Sequence, residues 1–397
     1  MQRNNEMTEG KTVYWSCSLC PRPPGWKLDW QQDFAHLEWV QPMIGCRQDA
    51  VHHAEGDVAT HVRLVCEALT AMEDWRRRDP DERVAVFLGA ALHDVAKPAC
   101  TVEDENGRIS SADHGKKGAQ LARKILWRGD GFADSPPPLV VREAVSALVR
   151  YSSLPLWLWD KEDPTRSIIR ASQSARLDWL ALLAEADACG RSCQDLADLL
   201  SRIQLFSQYA SEHGCLFEPY VFPSDHSRFV YFHKRAEPGN ESYAARDVYD
   251  DTRFEVTLMS GLPGAGKDHW IARNANTLTV VSLDAIRSRL GVRFDQDQNK
   301  VILTARNEAR QLMRKSQSFV WNATNVTRFM RDPLVRFFHD YGARIRIVYV
   351  EPPTFQELLL RNASRESPIP PGAIEKLADK LEVPDLTEAH TLLWVSE

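Results

Sequence analysis

The sequence predicts a multidomain protein in which an all-α helical bundle is followed by an α/β domain with a parallel sheet. Between Val58 and Leu200, apolar residues recur at three- and four-residue spacing, which is typical of amphipathic helices. After Arg253, β-branched runs alternate with helical segments, which indicates parallel strands joined by crossover helices. The 397 residues exceed one ordinary domain of roughly 100–200 residues, so two or three domains are expected.

Residues 1–50 are predicted to be an irregular lead-in that packs on the bundle. Four tryptophans lie between Trp15 and Trp39 among Pro, Gly and Asp, which favours an aromatic-anchored segment. Cys17 and Cys20 have the spacing of half a zinc knuckle, but the sequence has no second C-x2-C pair. Ordinary thiols are therefore favoured over a structural zinc site.

Residues 51–205 are predicted to form the bundle. ATHVRLVCEALTAMEDW is amphipathic, and in DPDERVAVFLGAALHD the residues Asp79 and Pro80 stand where an N-cap and a first turn belong. HGKKGAQLARKIL, VREAVSALVRY and SARLDWLALLAEADACG continue the pattern, and no strand is predicted among them. Residues 206–253 lack a clean period and are predicted to be a connector, with RFVYFHK as a short strand.

Residues 254–397 are predicted to be the α/β domain, with strands FEVTLM, LTVVSL, SFVWN and RIRIVYV. The first strand leads into GLPGAGK and a helix, which is the context of a phosphate-binding P-loop. Because glycines let backbone N–H groups surround an anion, ATP or another nucleoside triphosphate is expected to bind there. The predicted nucleotide-binding residues are Gly261, Gly264, Ala265, Gly266, Lys267 and Asp268.

Lys267 is expected to reach the β- and γ-phosphates, whereas Asp268 departs from the P-loop pattern. Ser or Thr normally follows the lysine and holds Mg²⁺ through its hydroxyl. A carboxylate can also bind Mg²⁺, but it adds a negative charge near the phosphates. Whether Asp268 is a Mg²⁺ ligand therefore stays open. A Walker-B-type acid, expected near Asn322, is missing as well.

Further residues suited to phosphate chemistry follow the later strands. Asp284 follows LTVVSL, and Arg287 lies one helical turn beyond it. Such an acid can accept a proton from an attacking hydroxyl, and the arginine can hold an acceptor phosphate. A helix cap followed by a surface arginine is the alternative.

Two more groups are placed at the same edge of the sheet, where ligands of α/β folds bind. The candidates for substrate binding after SFVWN are Thr324, Asn325 and Arg328. Arg361 and Arg365 share a helical face in LLLRNASRESPIPP, and lid arginines can stabilise a transferring phosphoryl group. A solvated helix face is the alternative for this arginine pair.

Together these pieces resemble the 5′-hydroxyl polynucleotide kinases of the P-loop phosphotransferase superfamily, from GLPGAGK through SLDAIR, WNATN and RNASR. The resemblance implies that Asp284 is the general base on the 5′-OH and that Arg287 engages a phosphate of the acceptor strand. It also implies that Arg361 and Arg365 cover the donor phosphates and that Mg²⁺ assists. The P-loop is specific for nucleotide, whereas the later motifs are less specific for the acceptor.

In the helical half, histidines and acids recur at helix ends and faces. His61, His93, Asp94 and Asp187 come from separate segments, and imidazole with carboxylate suits a divalent cation such as Mn²⁺ or Ni²⁺. A metal ion held by them would activate water against a phosphate ester. A lone His-Asp dipeptide or a single buried histidine is more often structural, so only the ordered set carries weight. The neighbouring candidates for phosphate or substrate contact are Lys97, His114 and Arg191.

This ordered set resembles the HD superfamily of metal-dependent phosphohydrolases, and residues 53–97 are especially similar to HD domains found with tRNA nucleotidyltransferases. The resemblance implies that the four ligand candidates hold a first metal ion, with Asp94 catalytic, and that His114 serves a second ion or the substrate. One departure lies in VRYSSLP, where relatives often have a histidine in place of Ser152 or Ser153.

The order of the two halves, the Trp-rich lead-in and the SRFVYF connector resemble the bacterial bifunctional HD-domain and polynucleotide kinase end-healing enzymes. That resemblance implies removal of a 2′,3′-cyclic, 2′- or 3′-phosphate and phosphorylation of a 5′-OH, which prepares RNA or DNA ends for a ligase. Two alternatives stay open. One is an HD nucleotidase fused to a metabolite kinase, and the other is a kinase with an inert RNA-binding HD platform.

Composition narrows the class of protein further. The net charge of −6, from 49 basic and 55 acidic residues, argues against a sequence-blind nucleic-acid coat but leaves room for local arginine contacts. The polar N-terminus, the lack of a stretch of ~20 apolar residues and the eight scattered cysteines predict a cytoplasmic, reduced protein without a membrane span. The preference for RNA or DNA and the oligomeric state stay open.

Overall fold

The structure is a computed structural model that describes residue 15 and residues 17–49, 52–131, 135–234, 244–293, 296–365 and 367–397. The chain divides into two compact units. The first takes the chain up to Ser152 together with Trp179–Ser201, and the second takes Ser153–Asp178 and Arg202–Glu397. The domain boundaries drawn from the sequence, after residues 50, 205 and 253, stay predictions. Among the described helices, none is long and apolar enough to cross a membrane.

The region before residue 234 is mostly helical. Its helices are α1 Trp30–Asp33, α2 Val58–Ala71, α3 Glu73–Arg76, α4 Pro80–Leu92, α5 Lys97–Cys100, α6 His114–Arg128, α7 Leu139–Tyr151, α8 Leu154–Trp157, α9 Pro164–Ser172, α10 Leu177–Cys189, α11 Leu196–Glu212 and α12 Asp225–His233. Short 3-10 turns occur at Gln41–Met43 and Leu158–Asp160.

In the first unit, the apolar face of α2 packs on α4, whose residues from Val84 to Leu92 are all buried. Asp57 caps α2 by accepting a hydrogen bond from the Thr60 amide at 2.8 Å. In the lead-in, Trp26 makes an edge-on contact with Trp75, their ring centroids 5.5 Å apart. This packing anchors the chain that precedes α2.

The expectation that no strand interrupts the helical region is wrong. Strands β1 Thr101–Glu103 and β2 Ile109–Ser111 form an antiparallel hairpin. The chain reverses within DENG, where Gly107 has a φ of 77°, a conformation that glycine adopts without strain. Each strand has three residues, which is too short to display an alternating pattern in the sequence.

The predicted short strand RFVYFHK is also wrong, because these residues belong to helix α12. Ser224 begins that helix by accepting a hydrogen bond from the Ser227 amide at 3.0 Å. His226, Phe229 and Val230 then share a buried face at helical spacing. Phe229 and Val230 belong to the hydrophobic core of the parallel sheet, so tertiary packing fixes this segment as a helix.

The α/β domain contains a five-stranded parallel sheet in the order β4-β5-β3-β6-β7. The strands are β3 Phe254–Ser260, β4 Thr279–Ser282, β5 Phe319–Asn322, β6 Ala343–Glu351 and β7 Thr391–Ser396. The helices are α13 Lys267–Asn274, α14 Leu283–Leu290, α15 Asn299–Arg314, α16 Arg328–His339, α17 Phe355–Ala363 and α18 Pro371–Ala378. The predicted fold class is confirmed: a mostly helical region precedes an α/β domain with a parallel sheet.

The register brings the strand ends to one edge of the sheet. Ser282 at the end of β4 lies opposite Asn322 at the end of β5, and Ser260 at the end of β3 lies opposite Tyr349 of β6. The amide of Gly261, just after β3, donates to the carbonyl of Thr324 at 2.9 Å. The loops that follow β3, β4 and β5 therefore meet, as binding loops of parallel sheets do.

A buried histidine joins α12 to this sheet. Nδ1 of His390 accepts a hydrogen bond from the Ile345 amide at 3.0 Å, and its Nε2 lies 3.1 Å from His226 Nδ1. Burial, together with the charges of Arg344 and His226, lowers the pKa of His390 from 6.5 to about 2. The ring is therefore neutral in the folded protein, and it accepts no proton until the solution is strongly acidic.

We expect the second unit to lose stability as the pH falls below about 6.5. Above that pH His390 is neutral in both states and contributes nothing to the pH dependence. Below it only the unfolded chain takes up the proton, so the free energy of unfolding falls by up to about 1.4 kcal/mol per pH unit. Burial also lowers the pKa of His233 to about 4, which adds to the same trend. Urea denaturation between pH 7.5 and pH 5 measures the slope.

His390→Gln retains an acceptor for the Ile345 amide but cannot be protonated, so its slope should be shallower. His269→Gln is the matched control, because His269 is exposed on α13. Equal slopes for wild type, His390→Gln and His269→Gln would contradict this account.

Candidate functional site

The GLPGAGK segment forms a tight loop between β3 and α13. Gly261, Gly264 and Gly266 have φ values of 144°, 83° and 105°. A Cβ at Gly261 would lie 2.3 Å from the Val350 carbonyl oxygen, so a larger residue cannot occupy that position without displacing β6. Glycine thus lets the loop lie against the sheet and lead directly into the N-terminus of α13, where an anion is favoured.

The amine of Lys267 folds back on this loop. Its Nζ donates to the carbonyls of Gly261 and Leu262 at 3.0 and 2.9 Å. Burial lowers the pKa of Lys267 from 10.5 to about 8, against the opposing effect of the nearby Asp268 and Asp284 carboxylates. The lysine is positioned to exchange carbonyl partners for the phosphate oxygens of a nucleotide.

Asp268, the departure from the P-loop pattern, pairs with the end of β5. Its Oδ1 accepts a hydrogen bond from Asn322 Nδ2 at 2.6 Å. Carboxylate and amide oxygens are ligands that Mg²⁺ accepts. The residue that replaces Ser or Thr and the residue near the expected acid therefore stand together beside the phosphate loop.

Asp284 lies between two arginines. Arg287 Nη1 donates to Asp284 Oδ1, and Arg365 Nη2 lies 3.9 Å from Asp284 Oδ2. The Asp284 side chain is 71% exposed, so it faces solvent at the edge of the sheet. Ser282, rather than Asp284, caps α14 by accepting from the Ala285 amide at 3.3 Å. The capping alternative for Asp284 therefore does not describe this helix.

Helix α17 covers the phosphate loop. A Cβ at Gly266 would lie 3.5 Å from Arg361 Nη1, and one at Gly264 would lie 3.2 Å from the Asn362 amide nitrogen. Arg361 Nε donates to Glu357 Oε1 at 3.0 Å. The buried Asn362 exchanges two hydrogen bonds with the Ile369 backbone, at 2.8 and 3.1 Å, and so closes the turn that contains Arg365. Sequence reasoning missed Asn362, although it lies between the two predicted lid arginines.

The three residues predicted after β5 make extensive contacts within the protein. Thr324 accepts the Gly261 amide through its carbonyl. Asn325, at a φ of 45°, donates from Nδ2 to the Met259 carbonyl at 2.8 Å. Arg328 Nη2 donates to Thr387 Oγ1 at 3.0 Å, and its backbone amide donates to Glu382 Oε2 at 2.9 Å. These contacts hold the loop in place, and their roles toward substrate stay predictions.

The four predicted metal ligands of the first unit come together. His61 projects from α2, His93 and Asp94 follow α4, and Asp187 lies on α10. His61 Nε2 lies 3.1 Å from Asp187 Oδ1 and 3.7 Å from Asp94 Oδ2, and His93 Nε2 lies 3.2 Å from Asp94 Oδ2. A Cβ at Gly190 would lie 2.7 Å from the Val65 amide nitrogen, so glycine lets the end of α10 reach α2.

The cluster fits a divalent cation. Within the described residues, four of its buried atoms lack a hydrogen bond of good geometry: His61 Nδ1 and Nε2, His93 Nε2 and Asp94 Oδ2. Their short contacts therefore have unfavourable angles. A purely structural buried polar atom is normally hydrogen-bonded. Imidazole nitrogens and carboxylate oxygens in this state are the donors that Mn²⁺, Ni²⁺ or Zn²⁺ accepts.

The two carboxylates are strongly biased toward the ionised form. Burial alone would raise the pKa of Asp94, but the charges of His93 and Lys97 outweigh it and hold the pKa well below the usual range. Burial would also raise the pKa of Asp187, but the charge of Arg191 and the hydrogen bond with His61 outweigh it and hold the pKa well below the usual range.

The three residues predicted to contact substrate surround the cluster. Lys97 Nζ lies 2.7 Å from Asp94 Oδ2 and donates to Gln48 Oε1 at 2.7 Å. Arg191 makes a bidentate pair with Asp187 at 3.0 and 2.6 Å. His114 Nε2 lies 3.7 Å from Asp94 Oδ1. Each of these three side chains thus lies close to a ligand candidate.

Two residues at this cluster were not selected from the sequence. His53 Nδ1 and His61 Nδ1 both lie 2.8 Å from Glu55 Oε1. Burial lowers the pKa of His53 to about 4. Burial would raise the pKa of Glu55, but its hydrogen bonds with His53 and His61 outweigh that effect and hold the pKa below the usual range. The only sequence signal was their place in HHAEGD, directly before α2.

Ser152, a departure from the pattern of the family that the helical half resembles, is buried at the end of α7. Its hydroxyl donates to the Val149 carbonyl at 3.2 Å. This side chain thus serves as a local helix-end contact.

The family that matches this chain covers part of the α/β domain. Residues 256–384 match the family described as AAA domain. No curated protein matches the sequence.

Three solved structures are similar to part of the chain. They are a candidate kinase from Chloroflexus aurantiacus (16% identity, TM-score 0.31), a sugar kinase from Janibacter sp. HTCC2649 (15%, 0.29) and a gluconokinase from Sinorhizobium meliloti 1021 (17%, 0.27). Each covers 36% of this chain and 83–86% of the other. The family match, the glycine loop and the parallel sheet together make the C-terminal domain a P-loop domain, which implies ATP and Mg²⁺ binding.

We expect Lys267→Ala to remove most of the rise in Tm that ATP and Mg²⁺ produce. The lysine supplies a cation for the nucleotide phosphates, and a ligand at about 100 times its Kd adds about 2.7 kcal/mol of stability. Differential scanning fluorimetry with and without ATP measures the shift. Lys300→Ala, on the exposed surface of α15, is the matched control. An unchanged ATP shift in Lys267→Ala would contradict the assigned role.

Proposed function

We propose that this protein repairs broken nucleic-acid ends with two separate active sites. The C-terminal domain transfers the γ-phosphate of an NTP to a 5′-OH polynucleotide. The helical domain removes a 2′,3′-cyclic, 2′- or 3′-phosphate. The observation that carries the proposal is the presence, in one chain, of two sites suited to phosphate esters. One is the acid between two arginines at the phosphate loop, and the other is the His61, His93, Asp94 and Asp187 cluster.

In the kinase step, the 5′-oxygen attacks the γ-phosphorus and the bond to the β–γ bridging oxygen breaks, so the nucleoside diphosphate leaves. Asp284 accepts the proton of the 5′-OH. Arg287, which donates to Asp284, moves its guanidinium to a phosphate of the acceptor strand. Lys267 and Arg365 offset the negative charge that develops on the transferring group.

The phosphoesterase site is built from the chain's own cations and the ligand cluster. The cluster residues would hold a divalent ion, which supplies Lewis acidity and lowers the pKa of water. Lys97 and Arg191 bind the non-bridging phosphate oxygens in exchange for their present carboxylate partners. His114, with Nδ1 beside the Ser111 carbonyl at 2.7 Å, presents Nε2 to the substrate.

An exposed aromatic residue favours a polynucleotide over a small acceptor. Phe329 is 86% exposed in the first turn of α16, directly after Arg328. That turn follows β5, whose neighbour β4 leads to Asp284, so both residues follow carboxyl ends of paired strands. Nucleobases stack on such aromatic faces regardless of sequence. A nucleobase next to the 5′-terminal sugar would find this ring at the acceptor side.

A second candidate function keeps the kinase but makes the helical domain an inert RNA-binding platform. The observation that favours it is VRYSSLP, where Ser152 and Ser153 depart from the pattern of the HD family that this half resembles. The two candidate functions predict different results for divalent-ion binding and for phosphate-ester hydrolysis by the helical domain. A helical domain that holds no divalent ion and cleaves no phosphate ester with added Mn²⁺ or Ni²⁺ would support the platform.

The direct test is one incubation with ATP, Mg²⁺, Mn²⁺ and an oligonucleotide that carries 5′-OH and 2′,3′-cyclic phosphate ends. We expect a 5′-phosphate and free 2′- and 3′-hydroxyls, and a polynucleotide ligase should then seal the product. DNA has no 2′-hydroxyl and cannot carry a 2′,3′-cyclic phosphate, so an RNA and a DNA oligonucleotide that both have 5′-OH and 3′-phosphate ends report the preferred acceptor. Phosphorylation of a nucleoside or sugar, with no change in the oligonucleotide, would instead indicate a metabolite kinase.

We expect Asp284→Ala to lower 5′-phosphorylation about 10²- to 10⁴-fold, the usual contribution of a general base, while phosphate removal stays intact. Asp94→Ala should do the reverse. Each variant is the folded control for the other, and both ends are measured by mass spectrometry of one substrate. Loss of both activities in either folded variant would contradict two independent sites.

We expect Phe329→Ala to raise the KM for a 5′-OH oligonucleotide about 5- to 150-fold, from the loss of about 1–3 kcal/mol of base stacking. The KM for ATP should not change, because the ring serves the acceptor. Phe329→Trp should retain the wild-type KM. Leu303→Ala is the matched control, because Leu303 is an exposed apolar residue on α15. An unchanged oligonucleotide KM in Phe329→Ala would remove this argument for a polynucleotide.

A further inference from the structure

One buried carboxylate lies behind the metal-type cluster, on the side of His61 away from Asp94 and Asp187. The Glu55 side chain is 2% exposed, and its Oε1 lies 2.8 Å from Nδ1 of His61 and of His53. Its Oε2 accepts a hydrogen bond from the Ser192 amide at 2.9 Å. Ser192 directly follows Arg191, the partner of Asp187. Glu55 thus contacts one ligand candidate, His61, and the segment that carries Arg191.

The short distance fixes which nitrogen of His61 carries the proton. A lone pair on Nδ1 would repel the Glu55 oxygen 2.8 Å away, whereas at Nε2 a bound cation would lie between the lone pair and the carboxylates of Asp94 and Asp187. In the metal-bound site Nδ1 is therefore the N–H. The Nε2 lone pair is then free to face Asp94 and Asp187. The contact with His61 is bent from ideal hydrogen-bond geometry, whereas the contact of His53 with the same oxygen is a good hydrogen bond.

We propose that Glu55 is a positioning residue for the metal site. It holds His61 in the tautomer that presents Nε2 as a ligand, and it ties this ring to the segment after α10 that carries Arg191. A carboxylate behind a ligand histidine also raises the basicity of the ligand nitrogen. The inference rests on the proposed function, because it assumes that the cluster binds a divalent ion.

A different role for the same residues would be a second metal site. Donor atoms of His53, Glu55 and His61 all lie within 4.8 Å of one another. However, a neutral imidazole has one lone pair, so His61 cannot serve an ion at Nε2 and another at Nδ1. His53 and Glu55 alone would then remain, which is too few protein ligands for a closed site. The positioning role is therefore favoured.

The test measures metal affinity on the full-length chain. Metal-free wild type, Glu55→Ala and Glu55→Gln are titrated with Mn²⁺ by calorimetry and against a chelator of known affinity. We expect Glu55→Ala to bind Mn²⁺ about 10- to 100-fold more weakly, the usual effect of removing such a partner. Glu55→Gln should lose less, because its amide oxygen can still accept from Nδ1. Glu105→Ala, on the exposed hairpin turn, is the matched control.

Two further readouts separate positioning from folding. The Tm of each metal-free variant reports folding, and the visible spectrum of the Co²⁺-loaded protein reports the ligand geometry. We expect a shifted Co²⁺ spectrum in Glu55→Ala at a Tm close to that of the wild type. If Glu55→Ala does not fold, Glu55→Gln decides: it has the same shape but is a weaker, uncharged acceptor, so a smaller loss of Mn²⁺ affinity is still expected, and wild-type affinity would overturn the positioning role.

The outcomes distinguish this inference from the proposed function. A wild type that binds no Mn²⁺ would overturn the proposed metal site itself, and with it the role of Glu55. A wild type that binds one ion, with equal affinity in all folded Glu55 variants, would overturn the positioning role alone. Two ions in the wild type and one in Glu55→Ala would make Glu55 a ligand.

Discussion

The pairing of buried carboxylates with cations is the constraint that organises the first unit. Asp94 and Asp187 cannot be buried as anions without compensation, because desolvation costs several kcal/mol for each charge. Lys97 and Arg191 lie against them, so the helix ends that carry all four side chains have to converge. The same convergence brings His61 between the two acids. The arrangement that stabilises the bundle is also the arrangement that assembles the candidate metal site.

The second unit applies the same pairing at its surface. Asp284 is exposed, so its contacts with Arg287 and Arg365 contribute little to stability and can be exchanged for phosphate at little cost. What fixes this site is the backbone. Gly261 lies against β6, and the amide of Gly261 is bonded to Thr324, so the loops after β3 and β5 are held together. The rigid sheet positions the side chains, and their charges remain free to change partners.

The sequence predicted best those features whose signal is local. The phosphate loop is a contiguous motif between a strand and a helix, and Asp284 was found by its place after a strand. The fold class followed from periodicity. The segment RFVYFHK was assigned wrongly because Phe229 and Val230 form a helix only through packing on the sheet core. Strand β7 is absent from the predicted strands, because TLLWVS is not followed by a helical segment that would mark a strand–helix unit.

The ligand cluster was predicted by residue type, but its geometry could not be. His61, Asp94 and Asp187 lie far apart in the sequence, and only the packing of α2, α4 and α10 brings their atoms within 4 Å. Glu55 shows the limit most clearly, since nothing in HHAEGD states that its side chain turns inward toward His61.

The net charge of the chain bears on how a phosphate substrate would be bound. The net charge is −6, and the basic side chains Lys97, Arg191 and Arg287 at the candidate sites are each paired with an acid. A phosphate that enters a site would compete with one of these carboxylates for Lys97 or Arg191 at the cluster, or for Arg287 or Arg365 beside Asp284. The proposed substrate would therefore be bound by a terminal phosphate or two, which suits an enzyme that acts on ends and not one that coats a strand.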